Sequence, residues 1–279
     1  MGVINVTPDS FSDGGQFSDV AAAVAYGLRL RDEGADILDV GGEATNPRAF
    51  PVPAEVELER VLPVVERLAA AGAVVSIDTT KAAVARACVA AGAQIVNDVS
   101  GGLFDPAMGE AIGDAIYICG HLRGRSLAEV FALERSGAPD RAAAPEAVRS
   151  SIEERANAVT WRDVAAELDE RLAALPDAVA ARAWIDPGIG FGAGKGGDPE
   201  RNLDLIRHSG DLGRALGKPV VIGASRKRFL RVLSGTSDPA ALDAASVGAA
   251  LGAVAAGARV LRTHNVALLR AALAVYTKL

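Results

Sequence analysis

Eight short apolar runs in this chain finish in residues that carry charge or strong hydrogen-bonding groups. In chain order these are Asn5; then Asp39, Gly41 and Glu43; then Asp78; then Asn97 and Asp98; then His121. Asp186 follows, then Ser225 with Arg226 and Lys227, and last Arg262 with His264. Asp78, Asn97 and Asp186 are rich in acceptors. Fixed carboxylates and amides of this kind recognise a flat heterocycle bearing several ring N–H and amino donors. Ser225, Lys227, Arg262 and His264 supply donors and cations suited to phosphate oxygens. One set would read a heterocycle and the other hold an anion, which suggests a heterocycle carrying a phosphate or pyrophosphate leaving group. Taken singly, each residue also fits a helix cap or a turn. That reading is strongest for Asp78, which precedes Thr79, Thr80 and Lys81.

Strands that bring these residues together are expected at Gly2–Val6, Ile37–Gly41, Val74–Asp78, Ile95–Val99, Ile116–Gly120, Ala183–Asp186, Val220–Gly223 and Val260–His264. Amphipathic or Ala-rich helices are expected at Asp19–Glu33, Pro53–Ala70, Lys81–Ala91, Ala107–Ile112, Trp161–Leu175, Asn202–Leu216, Ala244–Ala256 and from Val266 to about Tyr276. Alternation of this kind implies parallel strands joined by right-handed crossovers. Such strands are covered on both faces, hence the continuous apolar runs. The fold class expected is α/β, a (βα)8 TIM barrel forming one domain over residues 1–279, with an open doubly wound sheet as the alternative. Gly34-Ala35, Gly72-Ala73, Gly92-Ala93 and Gly257-Ala258 mark left-handed helix ends before the next strand. In a barrel the chemistry sits at the C-terminal strand ends, and strands seven and eight often bind phosphate.

Three segments stand out from this rhythm. About sixty residues separate strands five and six, from His121 to Arg182, and Ser136–Pro145 reads either as a surface excursion or as a lid. The stretches 6–15 and 41–51 are long, polar and rich in Gly and Pro, as closing loops at a catalytic face tend to be.

Composition narrows the class of protein. The net charge of −6, with no sustained basic stretch, argues against a nucleic-acid partner. No run is long and apolar enough for a membrane span, and Asn5 and Asp9 interrupt any signal-like segment. Two cysteines, Cys88 and Cys119, lack metal-ligand spacing and fit a reducing, cytoplasmic setting.

At these residues the chain resembles dihydropteroate synthase, of the pterin-binding barrel superfamily. The resemblance is carried by GVINVTPDSFSDGG (2–15), DVGGEAT (39–45), SIDTTK (76–81), IVNDVSGG (95–102), IDPGIGFG (185–192), GASRKRF (223–229) and RTHNV (262–266). It implies a transferase of folate biosynthesis, and a sulfonamide target. The reaction would condense 6-hydroxymethyl-7,8-dihydropterin pyrophosphate with p-aminobenzoate to give 7,8-dihydropteroate and pyrophosphate. By this resemblance Asp78, Asn97 and Asp186 bind the pterin with Lys227 beside it. Arg262 and His264 hold the pyrophosphate, Asn5 helps to place Mg²⁺, and Thr45 touches substrate. Asp13 stabilises positive charge on the pterin methylene, while Phe11 and Pro47 form the p-aminobenzoate slot. A cytoplasmic homodimer is expected. A related methyltransferase, presenting methyltetrahydrofolate to a corrinoid protein, would have little use for the first-loop block or the anion set; a pterin-binding paralogue without turnover is the other alternative. The chain departs from the family pattern at Asn46 and Arg48 in the second loop, at Gly120 before His121, and at Arg228 and Asn265.

Overall fold

Val- and Ile-rich runs favour extended backbone because β-branched side chains pack well on a pleated surface. The structure is a computed structural model and describes residues 1–7, 16–44, 52–124, 126, 129–130, 159–191 and 198–279. All the expected strands form: β1 (Gly2–Asn5), β2 (Leu38–Gly41), β3 (Val75–Asp78), β4 (Ile95–Asp98), β5 (Ile116–Gly120), β6 (Trp184–Asp186), β7 (Val221–Ile222) and β8 (Val260–Leu261). The helices among the described residues are α1 (Gln16–Asp32), α2 (Ala54–Ala70), α3 (Ala82–Ala90), α4 (Met108–Ala111), α5 (Trp161–Ala173) and α6 (Asp177–Arg182). They continue with α7 (Pro199–Arg207), α8 (Ser209–Leu216), α9 (Arg228–Ser234), α10 (Pro239–Ala255) and α11 (Val266–Tyr276).

Strands β1 to β6 form one parallel sheet in chain order, and β7 pairs with β8. A single parallel bridge spans each seam, Ile185 to Val220 on one side and Gly2 to Thr263 on the other. Backbone bonds support both: Ile185 N–H donates to Pro219 O at 3.0 Å and Val3 N–H to Thr263 O at 3.1 Å. The strands therefore follow one another round a ring, and the fold is an α/β barrel. The open sheet fails because β1 is joined on both sides.

Most of the core lies between the strands and the helices outside them, where Ile4, Val40, Val65, Leu68, Ile77 and Ile185 are all buried. A second cluster of Ile95, Ile118 and Val221 fills the ring itself. The glycines at 34, 72, 92 and 257 all take positive φ, as the helix-end reading requires.

Four helices differ from expectation. The single helix expected at 202–216 breaks at His208, where φ is −106° and ψ 19°. Gly210 gives its N–H to Ala256 O at 2.7 Å instead of to its own helix. Helix α10 starts at Pro239, because Asp238 caps it by accepting from Ala241 N–H at 2.8 Å. Helices α6 and α9 were not expected; at six and seven residues they are too short to show a clear helical period. The segment 136–145 lies outside the described residues.

Gly120 illustrates how tightly the strand ends pack. A Cβ there would lie 2.5 Å from Asp98 O and from Val99 Cα. Backbone occupies the space that the methionine of the family pattern would need. Gly120→Ala is expected to lower the unfolding free energy by about 3 kcal/mol through overpacking. Urea denaturation would read this as a lower midpoint at unchanged slope.

Candidate active site

Strand register decides which polar strand ends share the barrel interior. Asn5 pairs with Gly41, Gly41 with Asp78, and Asp78 with Asn97, so these four lie on one face of the sheet. Asp39 lies two residues before Gly41 and shares that face, since strand side chains alternate at a period of two. Asp186 pairs with Gly120 at the next strand junction. A Cβ on Gly41 would sit 3.4 Å from Asp78 Cβ, so glycine here keeps the space beside that carboxylate open.

The interior of the mouth is organised around a buried arginine–carboxylate network. Arg262 Nε donates to Asp39 Oδ2 at 2.6 Å, and its Nη2 donates to Asp78 Oδ2 at 2.6 Å. Asn97 Nδ2 donates to the same Asp39 oxygen at 3.2 Å, which leaves the Asn97 carbonyl as the end offered elsewhere. Asp39 is fully buried and its Oδ1 has no partner, a costly arrangement of the kind functional sites retain. Burial pushes Asp78 up to about 7; Arg262 opposes this, while Asp39 and Glu57 add to it. The capping reading of Asp78 fails, because Asp105 Oδ2 accepts from the first N–H of α3, that of Ala82, at 2.8 Å.

Strands β6 to β8 carry the remaining groups. Asp186 Oδ1 accepts from Gly188 N–H at 2.7 Å, which shapes the turn after β6. That turn leads to Phe191, whose ring lies under the Lys227 ammonium, 3.5 Å from Nζ to the ring centroid. Nothing in the sequence spacing marks Phe191 as a site residue, although it belongs to the IDPGIGFG block. A side chain on Gly223 would meet Arg262 Cβ at 3.7 Å and Asp186 Oδ2 at 3.9 Å. Glycine thus leaves a gap where the acceptor set and the cationic set adjoin. Ser225 Oγ lies 3.0 Å from His264 Nδ1 and accepts the His264 N–H at 3.2 Å, fixing the ring. Burial, together with the Arg262, Arg226 and Lys227 charges, pushes His264 down to about 4.

Asp78 and His264 tie stability to pH in opposite directions. His264 falls from 6.5 on folding, so its contribution is complete above pH 6.5 and is lost as pH drops through about 4. Asp78 rises from 3.8, so its contribution is complete below pH 3.8 and is lost as pH climbs through about 7. The two offset each other between these limits. His264→Asn is therefore expected to expose the Asp78 trend, with stability falling more steeply from pH 4 to 7 than in the wild type. Thermal unfolding across that range checks it; an unchanged slope would remove His264 from the balance.

Four strand-end residues prove to be structural. Asp98 points to the helix side, where it accepts from Ser100 N–H, Gly102 N–H and the Tyr117 hydroxyl, each at 2.8 Å. His121 is fully buried and its Nε2 lies 2.9 Å from Glu167 Oε2 on α5. Glu43 pairs with Lys81 at 2.6 Å, and the same ammonium also bonds the buried Glu57. Arg226 adopts a φ of 59° and forms a two-pronged pair with Asp243, at 2.7 and 2.9 Å. Asn265 also donates to Asp243, at 2.9 Å, and caps α11 by accepting from Leu268 N–H. An aspartate at 265, as in the family pattern, would set two carboxylates against each other. Arg228 begins α9. Phe11, Asp13, Thr45, Asn46, Pro47 and Arg48 lie outside the described residues.

Among the described residues no group of three or more His, Cys, Asp or Glu could hold a metal. Asn5 ends β1 exposed at the mouth and offers one neutral amide oxygen. That donor set suits a Mg²⁺ bound mainly through substrate oxygens and water, which is how this ion is commonly held. Among the described residues, no helix is long and apolar enough to cross a membrane.

A parallel barrel whose mouth brings polar acceptors and cations together is a scaffold for binding a polar heterocycle joined to an anion. The pterin binding enzyme family matches residues 1–264, and the chain belongs to it. Its relatives within that family include dihydropteroate synthases. The protein of that name from Mycobacterium leprae (strain TN) is 43% identical over 84% of this chain and 75% of its own length. That of Staphylococcus haemolyticus is 33% identical over 96% of this chain and 90% of its own. Against the folate synthesis bifunctional protein of Arabidopsis thaliana, at 34% identity, the chain spans 53% of the relative's length. Among solved structures, the Xanthomonas albilineans dihydropteroate synthase with 4-aminobenzoic acid aligns at a TM-score of 0.79 and 41% identity, covering 100% of this chain and 91% of that one. The same enzyme in complex with 7,8-dihydropteroate gives 0.77 and 39%, covering 100% and 92%.

Proposed function

We infer that the chain condenses 6-hydroxymethyl-7,8-dihydropterin pyrophosphate with p-aminobenzoate, releasing 7,8-dihydropteroate and pyrophosphate. The observation that carries this reading is the Asp39–Arg262–Asp78 network beside Asn97, Asp186 and Lys227. It supplies acceptors for the pterin donors within reach of cations for the leaving group. The relatives' names, and the ligands of the Xanthomonas albilineans structures, support the same reaction.

In this mechanism Asp78, Asn97 and Asp186 accept hydrogen bonds from the pterin edge, and Lys227 lies beside the ring. The methylene C–O bond breaks with its electron pair leaving on pyrophosphate, and an electron-rich ring favours a dissociative path. Arg262 and His264 receive the leaving anion; Arg262 does so while anchored to Asp39 and Asp78 through Nε and Nη2. Asp13 stabilises the transient positive charge. Phe11, Pro47 and Thr45 shape the approach of p-aminobenzoate, whose amine forms the new C–N bond and then loses a proton to solvent. When bound beside Asn5, Mg²⁺ supplies charge neutralisation on the pyrophosphate. The protein works as one barrel domain over residues 1–279, as a homodimer in the cytoplasm, and sulfonamides compete with p-aminobenzoate.

Incubation with the pterin pyrophosphate, p-aminobenzoate and Mg²⁺ tests this directly, with dihydropteroate as the product and loss of rate on adding EDTA. Tight pterin binding without product would make the chain a pterin-binding protein without turnover. Light scattering reads the dimer.

A further inference from the structure

Asn202, on α7, is a fully buried amide with no part in the chemistry described above. Its Oδ1 accepts the Gly190 N–H at 2.6 Å, and its Nδ2 donates to Asp198 O at 2.7 Å. A single side chain thus holds two backbone positions of the connection from β6 to α7. A buried amide that reaches two separate stretches of backbone is a strong constraint, because losing either bond strands a desolvated group.

The Gly190 end of this clip bears on the catalytic face. Gly190 has a φ of +74°, and a Cβ built there would lie 2.9 Å from Lys227 Cδ and 3.2 Å from Lys227 Cγ. The glycine backbone is therefore the wall along which the Lys227 stem lies. The next residue, Phe191, carries the ring under the Lys227 ammonium at 3.5 Å and donates its N–H to Gly188 O at 3.1 Å. Gly188 in turn donates to Asp186 Oδ1 at 2.7 Å. One short turn touches both Asp186 and Lys227, and Asn202 fixes the end of it that Asp186 does not.

We propose that Asn202 is a positioning residue: it fixes the Gly190–Phe191 backbone so that the wall and the ring beneath it set the place of the Lys227 ammonium in the pterin pocket. The proposal rests on the reading of Lys227 as a pterin-side group. Misplacing a reacting or binding group by about 1 Å can cost a large factor in rate, so the effect should be visible although Asn202 touches no substrate.

The test is a double-mutant cycle with Lys227→Met, read by 7,8-dihydropteroate binding in calorimetry and by kcat/KM at a temperature where every variant is folded. Asn202→Leu, close in shape, removes both bonds. It is expected to weaken dihydropteroate binding about tenfold and lower kcat/KM about thirtyfold, and to cost less than about twofold more in the Lys227→Met background. Asn202→Asp keeps an acceptor for Gly190 N–H and provides the second variant if the leucine variant folds poorly. It should recover most of the binding while losing stability, since its carboxylate faces Asp198 O. Binding within about twofold of wild type in Asn202→Leu, or an equal loss with and without Lys227, would overturn the proposal. A wild-type protein that binds dihydropteroate but forms none would overturn the condensing reaction instead, and the binding cycle would still decide the role of Asn202.

Discussion

Arg262→Met is expected to lower the stability of the barrel by about 3–5 kcal/mol near neutral pH, because it strips a buried ion network of its cation. Arg262 is the centre of that network, bonded to Asp39 and to Asp78 at 2.6 Å each, and Asp39 is fully buried. Methionine fills much of the same volume, so the loss reports charge rather than a cavity. The Asp39 charge left beside Asp78 would then favour the protonated form of Asp78, as a like charge in one site does. Asp78 is already pushed up to about 7 with the arginine in place, and without that opposing charge it would rise further. Its contribution then runs in one direction: present at low pH, lost as pH rises. The defect should accordingly be small at pH 5 and large at pH 8, as read by urea denaturation. Adding Asp39→Asn to Arg262→Met should recover part of the loss at pH 8, since one buried charge is removed. A loss below about 1 kcal/mol at pH 8 would mean that solvent reaches the pair, and that the pair is worth no more than a surface ion pair.

This network also marks the boundary of what could be read from the chain. The strand ends are legible because buried parallel strands are continuous apolar runs, and a polar residue at the end of such a run is conspicuous. Asn97 and Asp98 stand together at one strand end in the sequence; adjacent strand residues face opposite sides, so only one of them can enter the barrel. The register of β3 on β4 selects Asn97. Arg262 is different. Sequence places it with His264 among the anion-binding groups, whereas its guanidinium turns inward to carboxylates on β2 and β3, more than 180 positions away. Sequence spacing contains no record of that contact; ring closure creates it. Arg226 is a similar case, because its left-handed backbone is held by Asp243 and Ser246, both from α10. The break at His208 depends on Ala256 O, a group invisible to any local pattern. Local chemistry names the candidates, and long-range packing decides which of them remain available to a substrate.

Asp186→Asn and Lys227→Ala are each expected to lower turnover by at least about 100-fold, while leaving the barrel folded. The asparagine variant isolates charge. Its amide oxygen can still accept the Gly188 N–H that Asp186 Oδ1 accepts at 2.7 Å, so the turn after β6 survives. What it loses is a carboxylate for the pterin donors, at the point where Gly223 leaves the interior open between Asp186 and Arg262. Lys227→Ala removes the ammonium over Phe191 and the stem along Gly190, leaving the ring without its cation. Neither change opens a large cavity in the barrel, so melting temperatures should stay within about 4 °C of wild type. Both variants should weaken binding of the pterin pyrophosphate in calorimetry. The sharper comparison lies in the second substrate. If the two residues serve the pterin side, saturating the enzyme with p-aminobenzoate restores nothing, because the barrier raised is that of binding and ionising the first substrate. Recovery at high p-aminobenzoate would move Lys227 to the other side of the pocket. Retained turnover in either purified variant would remove that residue from the pterin pocket altogether.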